Sequence, residues 1–338
     1  MEDYYQCSPE EQGRRMREVA EKAVPLWPID PAAQIELVAL RENAVFRVST
    51  AEARYALRVH RANYHSDEQL ASEFMWTAAL NSEQLRVPQP LPARSGALFE
   101  HVSVASVPEV RQVDLLEWFD GEPLGELADW IESGPEAARE GLAMAGRLMA
   151  IAHNQSESWT PPARFTRRTW DQETLLGANP FWGRYWELDA LDDDLRQRLK
   201  TLEPIMVAEL ADMGREADRY GVIHADFLPD NILRNGDDVY LIDFDDAGYS
   251  WYVLDLACLT MWFYGDDHYE VALAALLEGY REQRAMPASE LDHLPVFMIM
   301  RAMGVLAFCH VHRESETAEA IRPVVLDIAA ALSEDYAR

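Results

Sequence analysis

Residues 222–248 read VIHADFLPDNILRNGDDVYLIDFDDAG. Two short runs in this stretch, 232–234 and 239–242, flank Asn235-Gly236-Asp237-Asp238. Turn residues between two such runs predict a hairpin or paired strands. His224, Asp226, Asn231 and Asp243 stand around this β insert. A loop carries Asp226 and Asn231, Asp243 ends a strand after the hairpin, and the fold-back brings the three together. Phosphoryl transfer needs such a set: a carboxylate to orient the attacking hydroxyl and accept its proton, and oxygen ligands to fix magnesium on nucleotide phosphates.

Upstream, residues 35–40, 44–49 and 55–59 have strand composition and are separated by polar pairs that suit tight turns, an antiparallel meander. Leu70, Phe74 and Ala78, four apart, predict a helix over 67–80. Strands are expected over 97–104 and 110–117. Ser8 followed by Glu11 opens an amphipathic helix that stops before Pro25. After Trp118 the texture changes: FDGEPLGE is a Gly/Pro-bearing connection, and beyond it helices are expected over 135–154, 195–220 and from 254 to the C-terminus. The expected fold is α+β and two-lobed, with an antiparallel sheet in residues 1–118 and a mainly helical part in 119–338 that carries the catalytic loop.

The chain has 338 residues, 49% of them hydrophobic, enough for a large core. Its 59 Asp and Glu against 30 Lys and Arg give a formal net charge of −29, which opposes binding to nucleic acid or anionic lipid. Cys7, Cys258 and Cys309 have no CxxC spacing, so neither a disulfide framework nor a zinc ribbon is indicated. Cys309-His310-x-His312 places its histidines on different helix faces and has no partner motif. No stretch approaches the ~20 uninterrupted apolar residues of a membrane span. The expectation is a soluble, unprocessed, cytoplasmic protein.

The pattern His224-x-Asp226-x-x-x-x-Asn231, followed by Ile242-Asp243-Phe244-Asp245, resembles the signature of the aminoglycoside phosphotransferase and choline kinase-like family, nearest its homoserine kinase-like and stress response kinase-like branches. The family has a protein-kinase-like fold and phosphorylates hydroxyl groups. The resemblance implies that Asp226 is the catalytic base, His224 braces its loop, Asn231 and Asp243 hold Mg²⁺, and Asp245 is an accessory acid. Asp255 would hold the catalytic loop by hydrogen bonds, and GRLMAIAH, 146–153, looks like the family's internal helix. Further implied are Arg58 as the strand cation facing the ATP phosphates, paired with Glu73, and Asn43 in the turn that covers them. Residues 115–119, with Glu117 and Trp118, would be the hinge whose backbone meets adenine, with ATP in the cleft near residue 118.

This sequence departs from the common pattern in three places: the Glu42-Asn43 turn has no glycine, Arg58 stands where lysine is commoner, and Ala225 stands where glycine or arginine is more usual. A glycine-free turn keeps backbone amides farther from a phosphate, and arginine is a bulkier, forked donor. The segment 164–194 is dense in aromatic residues, with Trp170, Phe181, Trp182, Tyr185 and Trp186. Trp182 and Trp186 are candidate walls for a cationic, amine-bearing alcohol, with Asp189, Asp192, Asp193, Asp194, Asp266 and Asp267 as possible sources of negative field. Packing of an irregular insertion is the competing account. Small-molecule kinase, Ser/Thr protein kinase of the stress response type and nucleotide-binding pseudokinase scaffold stay open as alternatives in that order.

Overall fold

The structure, a computed structural model, describes residues 4–82, 84–265 and 268–337. The chain forms two compact units, one of residues 1–81, 86–121 and 161–166, the other of 82–85, 122–160 and 167–338.

In the first unit, helix α1 (Pro9–Ala23) starts after Ser8, whose hydroxyl accepts the Glu11 N–H at 3.3 Å. Strands β1 (Gln34–Leu40), β2 (Ala44–Ser49), β3 (Arg54–Val59), β4 (Phe99–Val102) and β5 (Arg111–Glu117) make an antiparallel sheet in the order β1-β2-β3-β5-β4. Pairing sets Phe46 opposite Leu57 and Leu57 opposite Leu115, a fully buried row on one face that joins the core with Met16, Val19 and Ala20 of α1. Side chains alternate along a strand, so the neighbouring pair Arg58 and Asp114 points the other way. On that side lies helix α2 (Asp67–Leu80), opened by a Ser66/Gln69 capping box. Its Leu70 and Phe74 pack on Leu116.

In the second unit, β6 (Glu122–Pro123), β8 (Ile232–Asn235) and β9 (Asp238–Leu241) form one small sheet, while β7 (Tyr220–Ile223) pairs with β10 (Gly248–Trp251) in another. The helices are α3 (Leu127–Ser133), α4 (Arg139–Ser158), α5 (Gln172–Leu176), α6 (Asp193–Asp212), α7 (Val253–Thr260), α8 (Tyr269–Arg281), α9 (Ala288–Leu291), α10 (Leu294–Val311) and α11 (Glu316–Tyr336). The α+β class is as expected. Two helix boundaries are not: the helix expected over 195–220 ends at Asp212, because Tyr220 begins a strand paired with Trp251, and the helix expected over 135–154 lies at 139–158.

Uninterrupted apolar runs stay short, as expected: Arg301 splits the apolar helix α10. The 24 residues Ala288–Val311 are long and apolar enough to cross a membrane, but 78% of the apolar window is buried inside this chain. An all-round apolar helix is what a core position demands.

Helices α4 and α8 cross at glycines. A Cβ on Gly146 would lie 2.0 Å from the Leu276 carbonyl oxygen, and one on Gly279 would lie 1.7 Å from the Ala143 carbonyl oxygen. Backbone therefore lies on backbone, and neither neighbour is a side chain that can swing away. A Gly279→Ala protein should lose about 3 kcal/mol of stability, the upper part of the usual overpacking cost, measurable as a lower urea midpoint with an unchanged m-value.

Candidate active site

The loop that follows β7 is hung on one buried carboxylate. Asp255, in the first turn of α7, accepts the backbone N–H groups of His224 (3.2 Å) and Ala225 (2.7 Å). Its Oδ2 also lies 3.0 Å from Nε2 of His153 on α4, whose Nδ1 is 2.9 Å from the Tyr280 hydroxyl of α8. Burial holds the His153 imidazole below its ordinary pKa against the opposing pull of Asp255. The neutral ring thus donates from Nε2 to Asp255 and accepts at Nδ1 from Tyr280, while Tyr252 stacks on it at 4.6 Å.

Ala225 and Asp243 both adopt left-handed backbone, with φ of 65° and 63°. Such angles cost a non-glycine residue roughly 1–2 kcal/mol and persist where surroundings enforce them. At Ala225 the enforcement is visible: Asp255 holds its N–H and the Cys258 thiol donates to its carbonyl at 3.2 Å. Glycine would take this φ freely, whereas arginine would bear the same strain as Ala225. His224 ties the two halves of the site together, its Nε2 donating to the Ile242 carbonyl (3.0 Å) and its Nδ1 accepting the Asp226 N–H (3.3 Å).

Asp226 is held from both ends. The Asn231 amide donates to its Oδ2 at 3.0 Å, and Arg301 Nη2 donates to its Oδ1 at 2.9 Å. Burial raises the Asp226 pKa, with Arg301 opposing the rise, and its side chain keeps 27% exposure. The Ile242 N–H bonds the Asn231 carbonyl at 2.9 Å, setting Asp243 one residue from Asn231's backbone partner. Because the Asn231 nitrogen faces Asp226, the amide oxygen is presented the other way. An amide oxygen and a carboxylate, with neither thiolate nor imidazole beside them in this pairing, fit a hard divalent cation that keeps water or phosphate oxygens in its remaining positions.

Beyond Asp243 the chain is clasped by the aromatic-rich segment. Buried Arg167 donates to the carbonyls of Phe244 (2.9 Å), Asp245 (2.7 Å) and Ala247 (2.6 Å), and Trp170 Nε1 donates to that of Asp246 (2.6 Å). Asp245 is itself buried. Trp182 lies over the Arg301 guanidinium at 4.8 Å and against Trp170 at 4.6 Å. Trp186 lies instead over the Lys200 ammonium of α6 at 3.4 Å and against Tyr185, so its face already carries a cation. Asp192 caps α6 by accepting the Leu195 N–H at 2.8 Å, so that acidic run opens a helix. Asp266 and Asp267 lie outside the described residues. Cys309 donates to the Ala318 carbonyl and His312 stacks on Phe308, with no joint ligand set.

In the first unit, Arg58 Nη2 bridges Glu73 (2.8 Å) and Asp114 (2.7 Å), and its Nε donates to the second Asp114 oxygen at 3.0 Å. His60 Nε2 adds a 2.8 Å contact to Asp114. Burial alone would raise the Asp114 pKa, yet Arg58 and His60 outweigh it and hold the carboxyl below its ordinary value. Asn43 accepts the Arg61 N–H at 3.0 Å, so its side chain ties the β1–β2 turn to the residues after β3, and Glu42 pairs with Arg61. The Glu117 N–H is already given to the Gln89 carbonyl at 3.0 Å, and Trp118 Nε1 donates to Asp120 at 3.0 Å.

Three residues escaped sequence reading. Asp114 had a signal, an acid between Val113 and Leu115 in a strand, but only strand register pairs it with Arg58. Arg301 had one too, as the sole Asp, Glu, Lys or Arg in the apolar run Leu294–Val311. Arg167 had none.

The chain belongs to the phosphotransferase enzyme family (APH), whose model matches residues 34–290. It is 25% identical over 292 residues to amicoumacin kinase of Bacillus subtilis (strain 168), covering 82% of this chain and 80% of that protein. It is 29% identical over 259 residues to homoserine kinase of Sinorhizobium medicae (strain WSM419), covering 75% and 72%. Its fold matches a microcompartment-associated aminopropanol kinase at a TM-score of 0.81, with 30% identity over 95% of this chain and 97% of that one. The chain is accordingly a phosphotransferase with an alcohol group as acceptor, and at the level of the family a small-molecule kinase.

Removing the Asp255 carboxylate strands three buried donors at once. Asp255→Ala should cost about 3–5 kcal/mol, the scale for breaking a buried hydrogen-bonded charge, read from urea unfolding.

A second test is the pH dependence of stability. The His153 pKa is lower in the folded than in the unfolded chain, so below about pH 6.5 the unfolded state binds the proton first and stability falls as pH falls. His153→Gln should remove that part of the slope, at most ~1.4 kcal/mol per pH unit, when unfolding of the two proteins is compared between pH 7.5 and 5.

Proposed function

We propose that the chain transfers the γ-phosphate of MgATP to the hydroxyl of a small, amine-bearing alcohol. The observation that carries this reading is the Asp226 carboxylate: half-buried, aimed by Asn231 and Arg301, and set on a loop pinned to Asp255. Asp226 orients the acceptor hydroxyl and takes its proton as the oxygen attacks phosphorus. Its raised pKa suits it to that role, since a stronger base accepts the proton more readily. Asn231 and Asp243 hold the metal, which when bound supplies positive charge to the phosphate oxygens.

His224 keeps Asp226 and Asp243 in register by bonding to both halves of the site. Arg58, oriented by Glu73 and Asp114, directs charge at the nucleotide phosphates through its remaining nitrogen, Nη1. Asn43 shapes the covering turn through its bond to Arg61, and Glu117 and Trp118 belong to the adenine-facing hinge. Asp245 and Trp182 stand on the acceptor side, while Trp186 contributes by anchoring the insertion on Lys200.

The likeness to aminopropanol kinase, spanning nearly the whole of both chains, supports an amino alcohol as acceptor. The acidic composition suits a cationic substrate.

ADP release should be stimulated by one member of a panel of aminopropanol, homoserine, choline and several aminoglycosides. Asp226→Asn should lower kcat by about 10²–10⁴-fold, and EDTA should abolish turnover, with Mg²⁺ restoring it. Stimulation by neutral diols as strong as by amino alcohols would remove the amine from the proposal, and wild-type kcat in Asp226→Asn would remove Asp226.

A further inference from the structure

Helix α10 is the most apolar segment of the second unit, and Arg301 is its one Lys, Arg, Asp or Glu. The side chain is 10% exposed, and its Nε is buried with no hydrogen-bond partner. A buried guanidinium with an unsatisfied donor burdens a core helix that an aliphatic residue would fill better. Its position therefore calls for another explanation than stability.

The geometry gives one. Arg301 makes a single hydrogen bond, to Oδ1 of Asp226, while Asn231 takes Oδ2. Two donors on two oxygens fix both the rotation and the tilt of the carboxylate plane. The guanidinium is seated in turn: Trp182 covers it at 4.8 Å, and Trp182 lies flat on α10 because residue 304 is glycine, where a Cβ would come within 2.6 Å of the indole. Ala225, Leu254 and Cys258 line the small space on the same side as Arg301 and Trp182. Arg301 also lies outside the residues 34–290 that the family model matches.

We propose that Arg301 is a positioning residue for phosphoryl transfer, a guanidinium clamp that holds the Asp226 carboxylate in line with the acceptor hydroxyl. This rests on Asp226 being the base. A misplacement of about 1 Å at a reacting group costs on the order of a hundredfold in rate, which sets the expected effect.

The test is a double-mutant cycle on the full chain with saturating MgATP and aminopropanol or, if that alcohol is refused, basal MgATP hydrolysis, in which water replaces the acceptor. Arg301→Met should lower kcat about 10- to 100-fold and leave KM for ATP nearly unchanged, measured at a temperature where unfolding curves show the variant fully folded. Arg301→Lys should recover part of the loss. The Arg301→Met/Asp226→Asn double should match Asp226→Asn alone, because a clamp has nothing left to hold once the base is gone. A near-wild-type kcat in Arg301→Met, or a double variant well below Asp226→Asn, overturns the clamp while leaving Asp226 as base. Wild-type kcat in Asp226→Asn overturns the base assignment and the clamp with it. If Arg301→Met does not fold, Arg301→Gln is read by the same criteria.

Discussion

The carboxylate of Asp255 is the constraint on which the second unit depends. It is fully buried, and a buried anion is tolerable only when donors surround it. Those donors are the His224 and Ala225 N–H groups and the His153 ring, so one side chain joins α7, α4 and the loop after β7. The helix crossing serves the same end. Gly146 lies two turns before His153, and Gly279 adjoins Tyr280, so the backbone contact between α4 and α8 brings the imidazole and the phenol into hydrogen-bond range. Packing of glycine on backbone in one place thereby holds the imidazole where Asp255, which can only accept, fixes the tautomer that donates to it.

The first unit solves a related problem with opposite charge. A guanidinium on the buried face of β3 is balanced by two carboxylates, one from α2 and one from the facing residue of β5. The forked geometry of arginine allows this, with Nε and Nη2 gripping Asp114 while Nη2 also reaches Glu73. A lysine ammonium at the same position would present one point of charge rather than a planar fork. The departure from lysine thus comes with an acceptor built to match it.

Much of the fold was legible because its signals are local. The α2 helix at 67–80, the three-strand meander and the hairpin around Asn235-Gly236 follow from periodicity and turn chemistry within short windows. The core of the site was legible for the same reason, since His224, Asp226, Asn231 and Asp243 sit within twenty residues joined by that hairpin. Choices of distant partner were not legible. Asp114, Arg167 and Arg301 meet their partners across 56, 77 and 75 residues respectively, and no spacing encodes such meetings. For the aromatic insertion the packing account holds at least in part: Arg167 and Trp170 spend donors on carbonyls of residues 244–247, so part of it is scaffold for the loop after Asp243.

The bare surface of α10 at Gly304 has an implication for grafting. The indole of Trp182 rests there without a spacer, so the insertion and the helix fit as a matched pair of surfaces. An insertion that brought a smaller side chain to that shelf would leave one face of the Arg301 guanidinium bare. Exchanging the insertion therefore means exchanging a patch of helix about 120 residues further along the chain as well.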